Sequence, residues 1–364
     1  SGLEINSTIS KIVSHFGQYE LDLDKRPTTD DIKQELQKAL KGPKDGEEKP
    51  VAKAKTIYDD LKEFINEQSI ACQWAHATLQ CWTTFTHHLE SFGKRLVYAD
   101  FNETGINKFV RHLRIQRNLE EKTVQKQFNN LKWFLNWAIR KGYCKEEYIN
   151  KYRPKFKVLE KPVIFLTKEE LLKLYTYEIP KNGTKVKLVR ADGEEYEKTV
   201  QEAGALAKTR DLFCFCAFTS LRYSDMASLK RIDVDGDKIY ITTQKTNDRL
   251  PIDLSKNAKA ILEKYENEQF PFGLALPVIS NQKMNHYLKD LGELCGFTTP
   301  VTIVCYRAGQ RVEETYPKYS LIGTHAARRT FICFALSNGV PPQVVMKWTG
   351  HSDYKAMRPY IDIA

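Results

Sequence analysis

"THAARRTF", residues 324–331, sets a histidine and an arginine three positions apart and follows them at once with a second arginine. The chain then runs on to "GHSDYKAMRPYIDIA", residues 350–364. A packed helix is built from apolar residues at helical spacing, and "FICFAL" after Arg329 already supplies them. His, Arg and Tyr gathered around such a helix serve no packing purpose. They suit an anion, because a guanidinium forks onto two phosphate oxygens. On a helix His325 and Arg328 look out from the same side.

Working outward, 364 residues predict two or three domains. The formal net charge of +10, from 56 Lys+Arg against 46 Asp+Glu, fits either a solvated basic surface or a polyanion partner, most often nucleic acid. Charge alone does not choose. The eight cysteines form no C-x-x-C pair and have no histidine at zinc spacing. With no evident carboxylate cluster and cationic side chains able to stand in for a metal, no metal and no cofactor is expected. Cys214 and Cys216 in "LFCFCAF" read as small buried apolar residues in a reducing compartment. There is no signal peptide and no apolar run of about 18 residues, which predicts a soluble cytoplasmic protein without a membrane partner. The opening Ser1-Gly2 reads as a tag scar, with the natural chain starting earlier.

Residues 3–40 read as polar helix, with Ile32, Leu36 and Leu40 on one stripe, and "KGPKDGEEKP", residues 41–50, as a linker. Four amphipathic helices follow, marked by Ile57/Leu61/Phe64, Leu79/Trp82/Phe85/Leu89, Ile106/Phe109/Val110/Leu113 and Val124/Phe128/Leu131/Leu135/Ala138. They suggest a small bundle. On the fourth, Lys122, Lys126 and Asn129, continued by Lys132 and Asn136, share the polar face. By itself such a face is a solvated one; next to a DNA-directed site it is a groove-contacting face. "YRPKFKVLEKP", residues 152–162, is a basic strap, and Thr167 with Glu170 opens the next domain as a capping box. Beyond it the chain mixes helices with hairpins around Asp192-Gly193, around Lys245 and within residues 301–316. "RDLFCFCAFTSL" predicts a buried helix, and Gly339 ends the helix that carries Arg328.

Taken one at a time, the polar residues are unremarkable. Arg222 and Asp225 in "TSLRYSDMASL" make a surface pair worth little. Lys245 in "QKTND" is a turn lysine, and a late tyrosine carries no message. Taken together they can serve one reaction, transesterification at a phosphodiester. Arginines neutralise the non-bridging oxygens, a histidine helps deprotonate a tyrosine nucleophile, and a lysine protonates the departing 5′ oxygen. Two tyrosines compete. Tyr354 and Tyr360 lie about 240° apart around a regular helix at roughly 100° per residue, so one helix cannot aim both at one site. Pro359 precedes Tyr360, while Tyr354 sits in the turn after His351 and reads as a packing residue.

The order Arg222, Lys245, His325-x-x-Arg328, Gly350-His351, Tyr360 resembles the tyrosine recombinase (phage integrase) family. The motifs cover roughly residues 160–364, and the four-helix pattern covers 51–150. The resemblance implies a mainly α fold with small β hairpins: a helical, SAM-like core-site-binding domain (residues 51–155) joined to a mixed α/β catalytic domain (residues 156–364). Residues 1–50 resemble the coupler that follows an arm-binding region in integrases of conjugative transposons. It further implies that Asp225 braces Arg222, that Tyr360 forms a 3′-phosphotyrosine, and that four protomers on two DNA core sites pass through a four-way junction. The resemblance also implies accessory DNA-bending proteins as further partners and a mobile element as the setting. Departures are Ser220 where Gly is frequent, Ala326-Ala327 for Asp-Leu, and Thr349 for Leu. Ser220 is tolerable unless the position needs a positive φ. Only four residues follow Tyr360, where the family has a longer tail, so either protomer exchange is impaired or a tail is missing or disordered. The rival readings are a type IB topoisomerase-like enzyme and a non-catalytic DNA-binding regulator on the same scaffold.

Overall fold

The computed structural model describes residue 33 and residues 56–145, 148–190, 192–242, 249–351 and 353–362. The linker 41–50, the loop bearing Lys245 and, except for Lys33, the segment 3–40 lie outside these. The chain divides into two compact units, residues 1–79 with 94–98 and residues 80–93 with 99–364.

In the first unit, helix α1 (Ile57–Ala71) starts at a capping box: Thr56 accepts from the Asp59 amide, and Asp59 Oδ2 accepts from the Thr56 amide at 2.8 Å. Ile57, Leu61 and Phe64 are buried, as their spacing predicts. The Tyr98 hydroxyl donates to Asp60 Oδ2 at 2.8 Å, giving that buried carboxylate a partner. Helix α2 (His76–Phe92) crosses from one unit into the other.

In the second unit, α3 (Glu103–Arg111) is capped by Asn102, whose Oδ1 accepts from the Gly105 amide at 3.0 Å. Gly105 is obligatory, because a Cβ there would lie 1.5 Å from the Asp100 carbonyl oxygen. The expected third helix does not run straight to Leu113. It passes at His112–Gln116 into a π-turn, closed by the Arg117 amide on the His112 carbonyl. Helix α4 (Glu121–Arg140) buries Val124, Phe128, Leu131, Leu135 and Ala138. At its start the buried Glu121 takes a two-pronged ion pair from Arg114, at 2.6 and 2.8 Å. The short helix α5 (Tyr148–Lys151) leads into the basic strap. Glu120 ties that strap to the chain beyond it, pairing with Lys161 at 2.8 Å and Arg307 at 3.3 Å.

Helix α6 (Lys168–Thr176) begins with the predicted Thr167–Glu170 capping box. Strands β1 (Lys185–Val189) and β2 (Glu195–Thr199) form the first antiparallel hairpin. Helix α7 (Ala203–Thr219) is apolar on nearly every face and is therefore the centre of the core. Packed on it are α6, α9 (Lys256–Lys264), α10 (Asn281–Leu294) and α12 (Thr324–Ser337). Its one buried acid, Asp211, is matched by Lys264 Nζ at 2.5 Å and the Tyr265 hydroxyl at 2.7 Å. After α7 come α8 (Tyr223–Ala227) and a sheet of β3 (Val234–Asp235), β4 (Lys238–Thr242) and β5 (Arg249–Asp253). A third hairpin, β6 (Pro300–Arg307) with β7 (Gln310–Pro317), leads through α11 (Lys318–Leu321) into α12. Helices α13 (Pro342–Thr349) and α14 (Arg358–Ile361) close the described chain.

Candidate active site

Helix α7 ends in a reversal. Ser220 adopts φ 62°, ψ 6°, so this is the positive-φ position that glycine favours. For a residue with a Cβ the conformation costs about 1–2 kcal/mol. The reversal turns the buried Ser220 carbonyl toward α12, where it accepts from Arg328 Nη1 at 2.9 Å. Arg222 follows in extended conformation as the residue before α8. Its Nη1 stands 3.7 Å from Asp225 Oδ2, with side-chain exposures of 18% and 1%. The surface-pair reading therefore fails: these charges meet in the interior, where the effective dielectric is low and their attraction strong.

Helix α12 begins at Gly323, which has no side chain to cap it. Asn285 of α10 caps it instead, its Oδ1 accepting from the Thr324 amide at 2.8 Å. The Thr324 hydroxyl donates to Asn281 at 3.0 Å. His325 thus lies in a first turn anchored from another helix, and it is exposed. Arg328, one turn deeper, is 3% exposed. Besides Ser220, the Thr349 carbonyl accepts from Arg328, through Nη2. Burial pushes the Arg328 guanidinium down to about 10, helped by the positive charge of Arg222 and opposed by Asp225 and Tyr360. Arg222, Asp225 and Tyr360 thus all lie near enough to act on the Arg328 charge. The sequence treats the two arginines as equivalents; the structure makes Arg328 a buried strut and leaves Arg222 nearer solvent.

Helix α13 ends at Gly350, at φ 61°, with the His351 amide donating back to the Met346 carbonyl at 2.9 Å. The half-buried His351 ring places Nδ1 2.6 Å from Thr349 Oγ1 and 3.5 Å from Arg328 Nη2. Thr349 entered the sequence reading only as a packing departure. A threonine in the last helical turn beside Gly-His was the available signal for more.

The two tyrosines fall in different short elements. Tyr354 begins a 3-10 turn, Tyr354–Ala356, that Asp353 caps. It is 51% exposed, so its expected packing role is wrong: that separate surface turn carries it away from the core. Tyr360, with Pro359 in the first turn of α14, is 8% exposed among Ile332, Cys333, Val345 and Met357. Lys245 lies outside the described residues. A cleft from Asp225 past Ser228 and Lys230 to Tyr240 and Thr242 reaches the strand end that leads to it.

On α4, Lys122, Lys126 and Asn129 are exposed and Lys132 is partly so. Lys126 Nζ also lies 3.2 Å from Cys81 Sγ. Asn136 is engaged by Asn150 at 2.6 Å and belongs to the scaffold. Among the described residues, none of the four exchanges a hydrogen bond or ion pair with Arg222, Asp225, Arg328, His351 or Tyr360. No group of three or more His, Cys, Asp or Glu among the described residues could hold a metal ion, and no helix there is long and apolar enough to cross a membrane.

A helical segment followed by a helix-centred domain in which two arginines, a histidine and a tyrosine converge is the arrangement of a tyrosine recombinase, and this chain belongs to the phage integrase family. The phage integrase SAM-like domain matches residues 56–158, and the phage integrase family model matches residues 190–364. Among solved structures it is similar to a lambda integrase dimer bound to a COC' core site, at 14% identity and TM-score 0.58, covering 84% of this chain and 95% of that one. It is likewise similar to the Tn1549 transposon integrase in complex with circular intermediate DNA, at 13% identity and TM-score 0.57, with the same coverages of 84% and 95%. No curated protein matches by sequence. The family assignment favours neither the topoisomerase-like nor the non-catalytic alternative.

Proposed function

We propose that this site-specific recombinase cuts and rejoins DNA at core recombination sites, with Tyr360 as nucleophile. The tyrosine oxygen attacks the phosphorus, the bond to the 5′ oxygen breaks, and a 3′-phosphotyrosine remains. His351 takes the tyrosine proton, and Lys245 gives one to the departing 5′ oxygen. Arg222 and Arg328 hold the non-bridging oxygens, Asp225 steadies Arg222, and His325 adds a donor at the open end of α12. A 5′ hydroxyl of the partner strand reverses the step, so the bond energy stays in the phosphotyrosine. The working assembly is a homotetramer on two duplexes passing through a four-way junction, with accessory DNA-bending proteins as further partners. Lys122, Lys126, Asn129 and Lys132 face the DNA from the core-binding domain, residues 51–155. The catalytic domain takes up 156–364, and residues 1–50 act as a coupler. The reaction integrates or excises a mobile element in a cytoplasmic, DNA-associated setting.

One observation carries this reading. Arg222 Nη1 and Arg328 Nε are buried and make no hydrogen bond among the described residues. Buried guanidinium donors without an acceptor are costly, and a bound anion is one means of satisfying them. The neighbours bound to a core site and to circular intermediate DNA support a DNA phosphate as that anion.

The test is incubation with nicked suicide DNA carrying candidate core sites. The wild type should form a covalent adduct, Tyr360→Phe should bind without forming one, and Tyr354→Phe should still form one. A DNA-linked peptide with modified Tyr354 and intact Tyr360 would overturn the assignment.

A further inference from the structure

We propose that Thr349 is a positioning residue for His351: its buried hydroxyl accepts the Nδ1 hydrogen of the imidazole and so places the ring's lone pair on Nε2. The inference rests on the recombinase reading above, in which His351 receives the tyrosine proton.

Thr349 is fully buried. Its Oγ1 lies 2.7 Å from the Val345 carbonyl and 2.6 Å from His351 Nδ1, with the Met346 carbonyl further off at 3.4 Å. A hydroxyl has one hydrogen to donate. If that hydrogen went to Nδ1, two oxygens would face each other at 2.7 Å with no hydrogen between them. A carbonyl has none to offer. The arrangement that puts a hydrogen in both contacts runs from Nδ1–H to Oγ1 and from Oγ1–H to the Val345 carbonyl, the usual back-bond of a helical threonine. The remaining neighbour, Arg328 Nη2, gives one hydrogen to the Thr349 carbonyl; its second would need a lone pair on Nδ1 across 3.5 Å, a contact far weaker than those at 2.6 and 2.7 Å, so the two short contacts set the tautomer. The left-handed Gly350 folds the chain back so that the ring reaches the residue two before it. Thr349 thereby holds the histidine with its side chain and Arg328 with its main chain, setting the two in register.

Full-length protein labelled with 15N-histidine provides the first readout, with the His351 signals assigned by their loss in His351→Gln. The wild type should show a protonated Nδ1 and a lone pair on Nε2. Thr349→Val, which keeps the shape and loses the hydroxyl, should shift population to the Nε2–H tautomer; Thr349→Ser should match the wild type. In single-turnover cleavage of suicide core-site DNA, Thr349→Val should be slower by about tenfold at unchanged DNA affinity, and Thr349→Ser should recover to within about threefold. A wild-type His351 bearing its hydrogen on Nε2 overturns the proposal, and this holds even if Thr349→Val does not fold. So does a Thr349→Val protein with wild-type tautomer and rate. A wild type that forms no adduct refutes the recombinase reading instead, and the 15N spectrum still decides the tautomer.

Discussion

Replacing Ser220 by glycine should stabilise the catalytic fold and leave its chemistry intact. Ser220 is held at φ 62°, ψ 6°, a conformation that costs a residue with a Cβ about 1–2 kcal/mol. Glycine removes that cost but gives the unfolded chain more freedom, worth about 0.4–1 kcal/mol in the opposite direction. The net gain is about 0.5–1 kcal/mol, less a little for the contacts of the lost side chain, or a rise of about 2 °C in Tm for a domain of this size. Valine should do the reverse, because a β-branched residue resists this region and strains the turn by about 1–3 kcal/mol. It should also swing the Ser220 carbonyl off Arg328 Nη1, now 2.9 Å away, and so slow cleavage. Thermal melts paired with single-turnover cleavage of suicide DNA test both halves. If Ser220→Gly melts below the wild type, or Ser220→Val matches it in melting and rate, the strained turn is not what positions Arg328.

The two arginines should separate on mutation. Arg222→Lys, which keeps a cation beside the buried Asp225 but loses the fork, should slow cleavage severely with little change in melting, whereas Arg328→Ala should also lose about 2–4 kcal/mol by stranding two buried carbonyls, as denaturant titration would show. Lys245→Ala should slow cleavage of a normal substrate and be rescued by a 5′-bridging phosphorothiolate, which leaves without protonation; equal rates on the two substrates would remove Lys245 from the acid role. The hydrogen bond from Lys161, helped by Arg307 against the effect of burial, holds Glu120 below its ordinary value near 4.5. Its contribution should therefore be complete above that value and fade as the pH falls through the lower folded one, and Glu120→Gln should lessen the acid dependence of melting in that window.

The parts of the fold that could be read in advance are those written in neighbouring residues. The Thr167–Glu170 capping box, the apolar stripes of α1, α2 and α4, and the all-round apolar α7 were each visible within one or two turns of chain. The π-turn at His112–Gln116 was not, since Leu113 keeps a helical spacing whether or not the turn widens. In the candidate site, Arg222, Arg328, His351 and Tyr360 stood out by order and spacing, and the structure gathers them. The depth of each did not stand out: Tyr354 was expected to pack and is exposed.

By itself the sequence determined the apolar stripes of the first helices, the Thr167–Glu170 capping box and the buried helix α7, and it marked the ordered set of polar residues from Arg222 to Tyr360, because capping, periodicity and motif spacing are local properties of the chain; it placed no helix on α9 or α10. Only the tertiary structure decided that Ser220 takes a left-handed turn, that Asn285 caps α12, that Arg328 is a buried strut between Ser220 and Thr349, and that the Thr349 hydroxyl meets the ring of His351. Most of these depend on groups distant in sequence: Arg328 reaches across 108 positions to the Ser220 carbonyl. No pattern along the chain encodes such a meeting, because it is packing around α7 that brings the two groups together and desolvation that makes their hydrogen bond obligatory.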